Sequence, residues 1–200
     1  PIFEEATMTI LASELSSEIE TKIFKGDSSA DANDFDGAVK VLTDSTQAIK
    51  LTGVSLTKAN VLAEVEKVFA SIPEDVMAMG LENGSLNIYV SYSAYMKVKM
   101  ALGGIWGDNV VVSPNFAVEG DSVRYMGVEI VPVKGLEDND MIAADSKNFL
   151  VGTDLVRDLE EIRLGQFAAP NDNKIFIDGR LRLGFAIPFE DEVVFYSPSN

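Results

Sequence analysis

Residues 174–188 read KIFIDGRLRLGFAIP. The odd positions are almost all apolar: Ile175, Ile177, Leu181, Leu183, Phe185 and Ile187, with Gly179 among them. The even positions carry Lys174, Asp178, Arg180 and Arg182. A period of two puts the apolar side chains on one face of a β-strand. The Asp178-Gly179 pair is also a two-residue hairpin signal. A hairpin there would set Ile177 opposite Arg180 and Ile175 opposite Arg182, mixing arginines with isoleucines on one face. One continuous strand keeps the parity intact and is the preferred reading. At about 3.3 Å per residue such a strand is roughly 50 Å long. A compact chain of this size is only about 42 Å across. The expectation is a flat or elongated subunit, a shape suited to tiling.

Composition narrows the function. The 200 residues allow one domain, or two small interleaved ones. The chain has no histidine and no cysteine. That removes the commonest general base, thiolate metal sites and every Ser-His or Cys-His nucleophile. An acidic enzyme is therefore the weakest of the functional readings. With 32 acidic and 16 basic residues the net charge is −16. This argues against direct binding of nucleic acid or anionic membrane, which calls for basic patches. It fits a surface that stays clear of packed DNA, and equally a bias toward solubility. No apolar run approaches the length of a membrane-spanning helix. The opening PIFEEATMTI has no basic region, no signal-peptide core and no initiator Met. The chain is accordingly read as a processed or engineered fragment.

The rest of the chain reads as irregularly interleaved helices and strands, an α+β pattern. Leu11, Leu15, Ile19 and Ile23 recur every four residues and predict a helix over 4–25, ended by Gly26. An acidic loop, GDSSADANDFDG, follows at 26–37, with Phe35 its apolar anchor, and then a short helix over 37–42. Residues 49–56 are irregular or a short strand. Val61, Leu62, Val65, Val68 and Phe69 form the stripe of a helix over 57–72, with Thr57 as N-cap and Pro73 as stop. A buried strand at 86–90 leads into a helix capped by Ser91 or Ser93 and ended by Gly103-Gly104. Short strands are expected at 110–112, 141–144, 149–151 and 192–196. Another is expected at 125–133, with Gly127 at a bulge. A helix over 154–164 turns Leu155, Leu159 and Ile162 inward.

Few residues suggest chemistry. Asp31, Asn33, Asp34, Asp36 and Gly37 look like a calcium loop, but counting from Asp31 puts Phe35 and Leu42 where oxygen ligands belong. A solvated loop is the better reading, and a polar turn for Asp138, Asp140 and Asp145. GGIWGDN at 103–109 lacks the spacing of a phosphate loop. Trp106 reads as a packing anchor. The hydroxyls of SYSAYM at 91–96 have no nearby base. Carboxylate pairs such as Glu160-Glu161 arise by chance among so many acids. No catalytic residue, cofactor or metal ligand is assigned. The arginines are more telling, because a rigid, permanently charged fork suits interfacial ion pairs. Arg157, Glu160, Arg163, Arg180 and Arg182 are the candidate subunit-interface residues, with pairing inside the chain as the alternative. On the helix, Glu160 is spaced to pair with Arg163.

Several stretches, in order, resemble the major capsid protein of tailed bacteriophages and prophages, the Hong Kong 97-type shell fold. They are ELSSEIETKIFKGD with FDGAVKVL, LTKANVLAEVEKVFASIPEDV, LNIYVSYSAYMKVKMAL, YMGVEIVPVKGL, NFLVGTDLVRDLEEIRL, RLRLGFAIPF and EVVFYS. The resemblance implies a discontinuous peripheral-type domain, residues 1–25 and 149–190, holding a spine helix and long strands. Residues 26–148 and 191–200 then form an axial-type domain. It also implies a structural protein of the virion. Full-length copies would assemble in the bacterial host cytoplasm into hexamers and pentamers, and with other virion proteins into an icosahedral head around DNA. No membrane and no sequence-specific nucleic acid partner is expected. The N-terminal arm and extended loop of such proteins lie outside these residues, so this fragment is expected to be monomeric. The alternative is the shell protein of an encapsulin-type bacterial nanocompartment.

Overall fold

The computed structural model describes residues 2–31, 34–103, 115–119, 122–153, 162–166, 175–179 and 183–198. In chain order the elements are α1 (Ile2–Lys25), α2 (Ala38–Asp44), β1 (Ile49–Thr52), α3 (Val61–Ala70), α4 (Glu74–Asn83), β2 (Leu86–Ser91) and α5 (Tyr92–Gly103). Then come β3 (Phe116–Glu119), β4 (Ser122–Tyr125), β5 (Val128–Val133), β6 (Met141–Asp145), β7 (Leu150–Thr153), β8 (Ile162–Gln166), β9 (Ile175–Gly179), β10 (Leu183–Ala186) and β11 (Val194–Ser197).

Seven strands form one mixed sheet in the order β1-β11-β6-β2-β5-β4-β3. The central strand β2 runs parallel to β5 and antiparallel to β6. Its side chains sort by parity. Leu86, Ile88 and Val90 enter one core cluster, and Tyr89 enters the other. β6 divides in the same way, Met141 and Ala143 against Ile142 and Ala144, and so does β11, Val194 and Tyr196 against Phe195. At these three strands both faces of the sheet are therefore buried, and they read as near-continuous apolar runs with no alternation.

On one face α3 contributes Val61, Val65 and Val68, and α5 contributes Ala94, Val98 and Leu102. The spacing of three and four puts each set on one side of its helix. The opposite face is covered by α2, through Ala38 and Leu42, and by Phe24 near the end of α1. Phe24, Tyr89, Phe149 and Phe185 form a chain of ring contacts 5.3–6.3 Å between centroids.

The turn from α1 into α2 depends on two glycines. Gly26 N–H donates to Lys22 O, and Gly37 N–H donates to Gly26 O at 2.9 Å. A Cβ on Gly37 would lie 2.7 Å from both Gly26 N and Lys22 O. The carboxylates of the acidic loop are occupied locally. Asp34 pairs with Lys22, Asp36 accepts from Ser28 N–H, and Asp27 accepts from Ser29 N–H. Gly135, at φ +89°, lies against the other side of α1, where an added Cβ would sit 2.6 Å from Thr21 O.

Several sequence expectations need correction. The strand expected over 125–133 is a hairpin, β4 and β5, turned at Met126 (φ 48°) and Gly127 (φ 92°), two positive angles that make a tight turn and no bulge. Residues 74–83 form α4, a helix hidden because Pro73, read as a stop, also starts the next helix. Thr57 does not cap α3 with its side chain; its Oγ1 donates to Asn60 Oδ1, and helix α3 starts at Val61. The expected helix over 154–164 cannot reach its end, because Ile162–Gln166 is strand β8; residues 154–161 lie outside the described part. Ser91 does cap α5, accepting from Ala94 N–H.

The long alternating segment is extended at both described ends, as β9 and β10, while 180–182 lie outside the described residues. β9 pairs antiparallel with β8, setting Ile177 beside Leu164 and Ile175 beside Gln166, not beside arginines. β10 pairs antiparallel with β7. The strand expected at 110–112, Trp106 and the glycine-rich run after Gly103 also lie outside the described part. We predict that Gly135→Ala destabilises the fold by at least the roughly 1–2 kcal/mol cost of a left-handed non-glycine residue. Urea denaturation would measure it.

Candidate assembly surfaces

Of the five candidate interface residues, Arg163 is placed. It stands in β8, opposite Asp178 of β9 in the register. Since it is in a strand, the helical spacing that was to pair it with Glu160 does not apply. Arg157, Glu160, Arg180 and Arg182 lie outside the described residues.

The structure shows surfaces that the sequence reading missed. On α5, Tyr92, Met96 and Met100 are each about half exposed, at 51–52%. Their spacing of four aligns them on the side away from the core. The signal was hidden because α5 is apolar on both sides, so its sequence does not separate an inward stripe from an outward one. On α4, Met79 is 64% exposed, and Leu81 and Met126 of the neighbouring hairpin are also exposed. In the β7–β10 pair, Leu150 and Val151 are half exposed. Thr9 to Ser16 of α1 are almost wholly exposed, including Ile10, whereas the last two turns of the helix dock on the sheet. Lys134 N–H donates to Glu20 and its Nζ to Ser17, tying those turns down.

A cavity of about 470 Å³ lies where the end of α1 meets α2 and β11, lined by Lys25, Asp27, Lys40, Glu137, Asp140 and Phe195 among others. Its lysines are each met by an acid: Lys40 pairs with Asp44, and Lys25 approaches Glu137. Among the described residues no group of acids is arranged to hold a metal ion. Asp140 is 6% exposed. Burial pushes its carboxyl above the ordinary range, a hydrogen bond to Ser197 opposes that, and Glu137 adds to it.

Raising an acid's folded-state pKa means the native state holds its proton more tightly than the unfolded chain. The penalty is absent below the ordinary carboxylate range and grows as pH rises through it. We predict that Asp140→Asn raises thermal stability at pH 7 and that this gain vanishes near pH 3. Melting curves at the two values would show it.

No protein-family model and no curated protein matches this chain. Solved structures do. A chain of a satellite phage P4 procapsid that includes size determination (Sid) protein superposes on 98% of this chain, with a TM-score of 0.64 and 11% identity. The capsid of an empty GTA particle covers 96% with a TM-score of 0.60 and 11% identity, and a cyanophage A-1(L) capsid covers 94% with a TM-score of 0.55 and 14% identity.

This is the Hong Kong 97-type capsid fold.

The match runs through nearly the whole chain, so the sheet and the helices described above all fall within that fold. This chain spans 63% of the P4 chain, 65% of the GTA chain and 67% of the cyanophage chain.

Proposed function

We propose that the protein is a structural shell protein, the major capsid protein of a phage or prophage head. The observation that carries this reading is the correspondence of almost all 200 residues with chains taken from a procapsid and from assembled capsids. Its work is repeated weak contact summed over many interfaces, with no chemical step. Full-length copies assemble into hexamers and pentamers, in company with other virion proteins, in the host cytoplasm, and the closed shell encloses DNA. The net charge of −16 favours a wall that does not grip what it contains.

The peripheral-type part, 1–25 and 149–190, and the axial-type part, 26–148 and 191–200, belong to the same proposal. Two observations support the division. β7 to β10 form two separate two-stranded pairs, and β11 returns to the large sheet between β1 and β6. The β7–β10 pair touches the core of the large sheet through Phe185 yet keeps Leu150 and Val151 half exposed, as expected of a region completed by neighbouring subunits.

Negative-stain electron microscopy of the complete gene product, expressed alone, is the direct test. We expect closed shells or capsomer rings. Uniform small particles under every assembly condition would overturn the proposal. Arg157, Arg163, Arg180 and Arg182 remain the proposed interface cations. Reversing them together to Glu is expected to abolish assembly while the melting temperature of the subunit stays unchanged. A matching fall in melting temperature would instead assign them to pairing inside the chain.

A further inference from the structure

Two exposed helix faces of this chain are opposite in charge. α4, EDVMAMGLEN, carries Glu74, Asp75 and Glu82 and no base; α5, YSAYMKVKMALG, carries Lys97 and Lys99 and no acid. The three other described α-helices each mix the two signs. The segregation stands out in a chain with twice as many acids as bases.

Each face also carries exposed apolar side chains. Tyr92, Met96 and Met100 run for about 12 Å along α5; on α4 the most exposed is Met79. Methionine and tyrosine are enriched in protein contacts, because thioethers adapt to uneven surfaces and phenols bring a large area at little entropic cost. Neither stripe is needed by the core, which takes Ala94, Val98 and Leu102 from α5 and Val76 from α4.

We propose that the α5 face docks on the α4 face of a second copy of this chain. Methionines and Tyr92 make the apolar centre, and Lys97 meets the acids of α4 at the rim. Because the contact joins unlike surfaces, it is heterologous, the kind from which closed rings are built. The inference rests on the shell reading for the identity of its partner.

These 200 residues have no cysteine, and any cysteine elsewhere in the complete gene product is first replaced by serine, so that the engineered thiols are the only ones present. Met79→Cys and Met96→Cys are made separately in the complete gene product, one of them tagged, then mixed under assembly conditions and treated with a short bismaleimide. We expect a tagged–untagged cross-link in the mixture far in excess of either variant alone. Met96→Glu, which sets a new acid against an acidic face, should weaken assembly by about tenfold or more, and Met96→Leu should leave it intact. Shells with no cross-link and with Met96→Glu assembling normally would overturn this contact while leaving the shell reading in place. A cross-link in a protein that forms no shells would support the contact and remove the shell reading.

Discussion

Burial of both faces of one sheet governs this molecule. β2, β6 and β11 are apolar at nearly every position, so each must be covered above and below. One cover is the layer of α3, α4 and α5. The other is assembled from the end of α1, from α2 and from the stretch before β11, including Ile187 and Val193. Segments from both ends and the middle of the sequence thus meet in one core. Tyr196 ties one side together: its hydroxyl donates to Glu64 of α3 and accepts from Val54 N–H after β1. Burial first, with Glu64 adding to it, pushes that phenol up to about 12, so it stays a donor throughout the working pH range.

Much of the arrangement was legible in the amino-acid order. The stripe of α3, the existence and serine cap of α5 and the apolar runs of β2, β6 and β11 all follow from periodicity and turn chemistry. What escaped did so for physical reasons. Proline ends one helix and begins another equally well, so α4 vanished behind Pro73. Positive φ at Met126 turns the chain where a methionine would normally be read as strand. The 154–164 pattern fits a helix by its own spacing, yet its last residues pair with β9, a partner distant in sequence. Interface residues are the least legible, because an exposed methionine on an apolar helix has the same local pattern as a buried one. The resemblance in ordered stretches carried the fold where composition could not. The glycines at 26 and 37, read as a helix stop and as the end of an acidic loop, owe their identity to backbone atoms that approach too closely for any side chain.

That close approach has a mechanical side. α1 is held at one end: Phe24 in the core, Gly26 and Gly37 against its last turn, Gly135 and Lys134 against its flank. The exposed turns from Thr9 to Ser16 project roughly 12 Å beyond the first fastened turn, at 1.5 Å per residue. A rod clamped at one end is a cantilever. Load applied at its tip is felt as torque at the clamp, and the clamp here is made of backbone contacts and small residues that give little. Whatever grips the outer turns of α1 therefore transmits its pull directly into the large sheet.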